Sequence, residues 1–254
     1  MIRSHDDVVQ DQFGPRAEAY VHSIVHAAGE DLDALESLVR RCHPQRALDL
    51  GSGGGHVAYR LAPHALSVTA SDLSAEMTAA VATTACERKL PNIETCVAPA
   101  EHLPFADATF DFLACRFSAH HWRDFEAGLR EARRVLTSGS PAVFIDVASP
   151  GTASLDTHLQ AVELLRDPSH IRDYTAAEWQ QALAGAGFRV QGTTMRRLRM
   201  DFPTWVERMR TPAAHRTAIR SLQQQATSDT IAHYEIEADG SFTLDTLQIE
   251  AIAA

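Results

Sequence analysis

The residues best suited to chemistry in this 254-residue chain are an acid followed by a run of glycines, Asp49-Leu50-Gly51-Ser52-Gly53-Gly54-Gly55. Glycine has no Cβ and tolerates positive φ, so such a turn lets the backbone come close to a ligand. A helix that starts there adds free N–H groups and the positive end of its dipole. The spacing differs from the G-x-G-x-x-G of dinucleotide sites: Gly51, Gly53 and Gly55 alternate, and Asp49 stands just ahead of them. A carboxylate there is badly placed beside a pyrophosphate and well placed beside a ligand carrying an ammonium and a sulfonium. Two more acids, Asp72 and Glu101, fall at loop positions further on. Ser118-Ala119-His120-His121-Trp122 adds two imidazoles with a near-neutral pKa and an indole able to stack or make a cation–π contact. His120 and His121 are therefore candidate general bases, against the plainer expectation that they cap or pack the next helix. No metal site is expected, because adjacent histidines do not readily face one ion and no carboxylate lies at ligand spacing nearby.

These residues need elements to hold them. Arg46–Leu50 reads as a short buried strand that runs straight into the glycines, with a helix over His56–Leu61 closed by Pro63. Leu66–Ala70 is a second strand ending at Ser71-Asp72, and Ser74 can cap the helix after it, with Met77, Ala80 and Val81 on its apolar side. Ile93–Ala98, Phe110–Cys115 and Ala142–Val147 are further strands, and Phe125, Leu129, Ala132, Val135 and Leu136 recur at helical spacing. Strands alternating with helices imply a mainly parallel sheet covered on both faces, an α/β fold. Upstream, Val8 to Val25 follow a helical stripe broken at Gly14-Pro15, and Leu32 to Val39 form a second helical face.

Downstream, Leu155–Leu165 and Thr175–Ala184 are helices, the latter with a capping box of Thr175 and Glu178. Phe188–Thr194 and Phe242–Ile252 are strands. One or two short helices over Phe202–Gln225 lie between them, so residues 200–238 read as a helical cap inserted between the last two strands of one domain spanning 1–254. The N-terminal helices, residues 1–44, are the expected lid. Trp179 reads as core and Trp205 as the tryptophan better placed for a substrate pocket.

The net charge of −10 removes the usual driving force for binding nucleic-acid phosphates. The basic stretch Met195-Arg196-Arg197-Leu198-Arg199 is expected to be a solvated strand end. Cys42, Cys86, Cys96 and Cys115 form no C-x-x-C pair and are expected as reduced thiols of a cytoplasmic protein, Cys96 and Cys115 buried. No apolar run approaches the length that crosses a bilayer.

From Leu48 to Asp146, and more weakly over Gln12-Phe13-Gly14-Pro15-Arg16-Ala17-Glu18-Ala19-Tyr20, the chain resembles class I S-adenosylmethionine (SAM)-dependent methyltransferases of the group that includes the ubiquinone/menaquinone-biosynthesis C-methyltransferases. The resemblance implies a Rossmann-like sheet of seven strands, mostly parallel with the last antiparallel. It implies that Asp49, Gly51, Gly53 and Gly55 line the methionine part of SAM and that Asp72 accepts from the ribose hydroxyls. Leu73 and Met77 would flank the adenosine, and Ala100 and Glu101, in Ala100-Glu101-His102-Leu103-Pro104-Phe105, would sit at the adenine. Arg116 and Phe117 would face the cofactor, and Tyr20 would close over it. The implied reaction is in-line transfer of the SAM methyl to O, N or C of a small organic acceptor, with S-adenosylhomocysteine leaving and no protein nucleophile needed. The alternatives are a non-catalytic SAM-binding protein, a methyltransferase-fold enzyme using SAM for other chemistry, and an NAD(P)-dependent oxidoreductase. Monomer and homodimer are both compatible with the sequence.

Overall fold

Short apolar runs that alternate with amphipathic stretches bury themselves best as a sheet between helices. The computed structural model, which describes residues 3–17 and 29–254, shows that arrangement. Seven strands, β1 (Arg46–Leu50), β2 (Ser67–Asp72), β3 (Ile93–Val97), β4 (Phe112–Arg116), β5 (Pro141–Val147), β6 (Phe188–Met200) and β7 (Phe242–Ala253), form one sheet in the order β3-β2-β1-β4-β5-β7-β6. β1 to β5 pair in parallel, and β7 runs antiparallel to both of its neighbours.

Alternation along each strand sends side chains to two cores. Leu48, Leu50, Leu113, Cys115 and Phe144 meet Leu129, Ala132 and Val135 of α5 (Phe125–Val135) and Trp179 and Leu183 of α7 (Ala176–Ala186). Ala47, Val68, Ala70, Phe112, Ala114, Val143 and Ile145 face the other way. They meet α2 (Glu30–Cys42), α3 (His56–Leu61) and α4 (Ala75–Glu87) through Leu32, Leu35, Val39, Val57, Leu61 and Val81. A third core joins α6 (Ala153–Arg166) to α8 (Phe202–Arg208), α9 (Ala213–Gln224) and α10 (Ser228–Tyr234) around Trp205, Ile219 and Tyr234. It closes on Phe242 and Leu244 of β7, so the helices between β6 and β7 are tied to the sheet edge. α1 (His5–Phe13) and a 3-10 turn at Gly14–Arg16 reach this layer, where Arg16 donates to the Met209 carbonyl at 2.9 Å.

The structure departs from the sequence expectation in three places. β4 starts at Phe112 instead of Phe110, because the Asp111 carboxylate turns back to accept from the Gln45 and Arg46 N–H groups, each at 2.9 Å. Phe110 makes only an isolated bridge to Leu136. β6 runs on past Thr194 to Met200, paired with β7 throughout apart from a bulge between Val190 and Gly192. The short helix α10 was not expected; Thr227 caps it, and it buries little beyond Thr230 and Tyr234.

Candidate active site

The strand order reverses between β1 and β4, and in an open parallel sheet that reversal leaves a crevice beyond the carboxyl ends of the strands. The glycine turn forms its edge. Gly51 and Ser52 N–H both donate to the Ser71 carbonyl, at 2.8 and 2.9 Å, which pins the turn to the end of β2. Gly51 has φ +70, and a Cβ there would lie 1.9 Å from Ser118 Oγ, so no other residue fits between the loops after β1 and β4. Gly53, at φ +48, has nothing among the described residues within 4 Å of its Cβ position and leaves open space. Gly55 does not line the crevice as expected: it is buried, caps α3 at φ +78, and its Cβ would come within 2.8 Å of the Tyr59 ring. Gly54 lines the crevice in its place.

Two carboxylates flank the turn from neighbouring strand ends. Asp49 is 1% exposed, and its Oδ2 accepts from Ala58 N–H at 2.9 Å. Burial raises its pKa to about 7, against the pull of that hydrogen bond and with Asp72 pushing the same way as burial. Asp72 accepts from Gly53 N–H at 2.8 Å on one oxygen and from Ser74 N–H at 2.9 Å on the other. Burial raises its pKa as well, and these backbone N–H groups oppose the rise. Each Asp72 oxygen retains a lone pair for a further donor.

Leu73, Met77, Ala100, Glu101, Arg116 and Phe117 line the same crevice. Glu101 Oε1 accepts from Asp124 N–H at 3.2 Å, which links its loop to the start of α5. Arg116 Nε donates to Asp31 Oδ2 at 2.5 Å, and its guanidinium lies 4.6 Å from the Phe117 ring centre. Phe117 itself sits at φ +51, a conformation costly for an aromatic residue and found where a site needs it. Trp122 lines the crevice as a buried side chain, with Nε1 donating to Ser118 Oγ at 3.2 Å. Tyr20 lies outside the described residues.

A second cavity of about 410 Å³ adjoins the first. Phe13, Arg116, Phe117 and His121 belong to the walls of both. Trp205 lines the second, as do Met195, Arg196, Arg197 and Leu198, which corrects the expectation of a wholly solvated strand end. Arg197 and Arg199 are nonetheless neutralised at the surface by Asp245 and Glu237.

His120 and His121 sit on the 3-10 turn Ala119–His121 after β4. His120 Nδ1 lies 2.5 Å from Asp146 Oδ1. Burial works against charge on that ring, but Asp146, with Asp173 and Glu163 behind it, outweighs burial and pushes the pKa up to about 9. His121 is driven the other way, to about 4, by burial and then by the neighbouring His120. Its Nδ1 meets the Ser169 carbonyl at 3.2 Å, its own carbonyl meets His5 Nε2 at 2.8 Å, and the Phe13 ring approaches it edge-on at 5.0 Å.

The expectation that no carboxylate stands near these histidines fails in three dimensions. His120, Asp146 and Asp173 offer donor atoms within 4.8 Å of one another. The end of β5 brings Asp146, and Ile171 N–H donating to the His120 carbonyl at 2.8 Å brings the segment of Asp173. Asp146 had a readable signal, an acid at the carboxyl end of an apolar strand, as Asp72 has. Asp173 and Asp167 follow α6 in an irregular stretch and had none.

This constellation has relatives. The methyltransferase-domain family model matches residues 48–144. The uncharacterized protein YafE of Escherichia coli is 42% identical over 197 residues, 78% of this chain and 95% of its own. The uncharacterized methyltransferase YcgJ of Bacillus subtilis is 32% identical over 79% of each chain. Its crystal structure superposes with a TM-score of 0.81 at 28% identity, covering 87% of this chain and 98% of that one. A demethylmenaquinone methyltransferase of Thermotoga maritima is 35% identical over 45% of this chain and 49% of its own. The chain belongs to the methyltransferase family, with a class I SAM-dependent fold.

The crevice fits SAM. Gly53 leaves open the space that a side chain would fill, the buried Asp49 and the partly buried Asp72 stand ready for an ammonium and for hydroxyls, and Ser52 Oγ, in the crevice wall, is buried without a hydrogen-bond partner among the described residues. Among the described residues no helix is long and apolar enough to cross a membrane.

Proposed function

We propose that the protein methylates a small organic acceptor seated in the 410 Å³ cavity, by in-line displacement at the shared wall. The observation that carries this reading is the junction itself: Phe13, Arg116, Phe117 and His121 border both the cofactor crevice and the second cavity. When bound, SAM supplies an electrophilic methyl carbon on a sulfonium. The chain's part is to hold, align and exclude water.

Asp49, Gly51 and Gly53 hold the methionine part, Asp72 accepts from the ribose hydroxyls, and Leu73 and Met77 flank the adenosine. Ala100 and Glu101 meet the adenine, and Arg116 and Phe117 shape the wall toward the acceptor. Tyr20 is assigned to closure over the cofactor by the family pattern alone. His121 is the proposed catalytic residue. With Nδ1–H donating to the Ser169 carbonyl, its Nε2 keeps a lone pair for a proton leaving the acceptor. His120 borders the acceptor cavity, held by Asp146. Of the expected lid over 1–44, residues 1–2 and 18–28 lie outside the described residues; α1, the 3-10 turn after it and the helices of 200–238 form the lid, since that turn and the α8 end meet through Arg16 and the Met209 carbonyl. The apolar wall of Phe13, Phe117, Leu198, Met200 and Trp205 favours a flat or partly apolar acceptor.

The test is release of S-adenosylhomocysteine over a panel of phenolic, quinol and amine acceptors, with wild type and His121→Asn. A turning-over acceptor is expected for wild type. His121→Asn is expected to lose on the order of 10²-fold or more in kcat at saturating SAM, the scale of general-base catalysis. A protein that binds SAM and turns over nothing across the panel favours the non-catalytic alternative. An unchanged kcat in the variant removes His121 from the chemistry.

A further inference from the structure

In and behind the wall of the acceptor cavity stand more buried carboxyl groups than methyl transfer requires. Asp146, Asp167 and Asp173 are each 1% exposed and Glu163 is 6% exposed. Glu163 is answered by Arg166, whose Nη1 lies 3.3 Å away. Among the aspartates, Asp146 Oδ1 meets His120 Nδ1 at 2.5 Å. One oxygen of each, Asp146 Oδ2, Asp167 Oδ2 and Asp173 Oδ2, is buried with no hydrogen-bond partner among the described residues. Buried carboxylate oxygens are ordinarily paired, hydrogen-bonded or on a metal, because leaving one bare forfeits its hydration for nothing.

Two of these bare oxygens belong to residues that converge with an imidazole. His120, Asp146 and Asp173 each present a donor atom, all within 4.8 Å of one another. Donors at about 2.1 Å from a common ion stand at most about 4.2 Å apart, so closing on an ion needs only a small inward shift. The three come from separate elements that are already locked together. His120 is on the turn after β4, Asp146 is the penultimate residue of β5, and Asp173 is fastened through its backbone to the Gln160 amide at 2.8 and 3.1 Å. His170, beside Asp173, is engaged with Gln160 Oε1 at 2.9 Å, and its Nε2 stays 3.9 Å from Asp173 Oδ2.

We propose that His120, Asp146 and Asp173 form a binding site for a divalent cation in the wall of the acceptor cavity. One imidazole with two carboxylates is a donor set for Mn²⁺, Zn²⁺ or Fe²⁺ more than for a purely oxygen-seeking ion. Three protein donors leave positions open, and His120 and Asp173 both border the cavity, so the open positions face it. The acceptor, on the methyltransferase reading, would then be a molecule that brings a hydroxyl, phenolate or carboxylate oxygen to the ion. The cation site itself stands without that reading.

The experiment uses the full-length protein, stripped with chelator and titrated with Mn²⁺ while the electron paramagnetic resonance of free Mn²⁺ is followed. SAM affinity is measured in parallel on the same samples. Wild type is expected to take up one Mn²⁺ per chain, with an imidazole-nitrogen modulation in the spin echo. Asp173→Asn is expected to weaken uptake at least tenfold with SAM affinity unchanged, since Asp173 does not border the cofactor crevice. Absence of saturable Mn²⁺ uptake by wild type overturns the proposal, as does an Asp173→Asn protein that binds Mn²⁺ equally well. If that variant does not fold, a wild-type Mn²⁺ complex without nitrogen modulation overturns it alone. Loss of SAM binding in wild type would instead count against the methyltransferase reading and leave the metal result standing.

Discussion

Asp49 carries the sharpest test at the scale of a single residue. Burial holds its carboxyl at about 7, above the value near 4 of an unfolded chain. The folded protein therefore keeps a proton that the unfolded chain has lost, and this group costs stability increasingly as pH rises from about 4 to about 7. On the proposed placement, a bound ammonium next to Asp49 favours the ionised form, so SAM binding would be coupled to release of that proton. Affinity for SAM is expected to tighten from pH 6 to pH 7.5, with a slope of up to about tenfold per unit below the pKa, and Asp49→Asn is expected to bind weakly and without that slope. A wild-type affinity that is flat over this range would contradict the proposed partner of Asp49. The residue itself was legible in the sequence, as an acid one step before a glycine run. Its protonation was not, because that depends on how completely α3 and the sheet exclude water.

At the scale of elements, α5 shows how a helix shapes a site it does not enter. The strong apolar stripe of Leu129, Ala132 and Val135 anchors it to the sheet. Gly128 then lies under Trp122, where an added Cβ would stand 2.4 Å from the ring. Alanine is the better helix former by about 1 kcal/mol, but overpacking costs about 1–3 kcal/mol, and the indole must move. Gly128→Ala is expected to be the less stable protein in urea denaturation and to bind S-adenosylhomocysteine more weakly, since Trp122 lines the crevice. Unchanged stability and affinity would show that Trp122 has room to spare. Elements such as α5 and β1, whose apolar spacing is strong, were readable in the sequence almost to the residue. β6 was read too short because its arginines looked like a solvated end, whereas pairing with β7 carries the strand to Met200. α10 was missed because so few of its residues are buried.

At the scale of the whole molecule, the sheet and its first five parallel strands build the crevice side, while α6, β6, β7 and α8 border the second cavity proposed for the acceptor, with α9 and α10 packed behind them. The first half was legible because its candidate ligand groups follow consecutive strands, Asp49 and Asp72 at the ends of β1 and β2 and Glu101 in the loop after β3. The acceptor half was not, because its wall is assembled from residues as distant in the chain as His120, Asp173 and Trp205. The account therefore depends on the half that both sequence and fold define, and on one carboxylate in it. Calorimetric titration with S-adenosylhomocysteine of wild type and Asp72→Ala tests it most directly. The account predicts one site per wild-type chain and an Asp72→Ala affinity lower by about 10- to 100-fold, the worth of hydrogen bonds to a charged group. A silent wild type, or equal affinity in the variant, would contradict it.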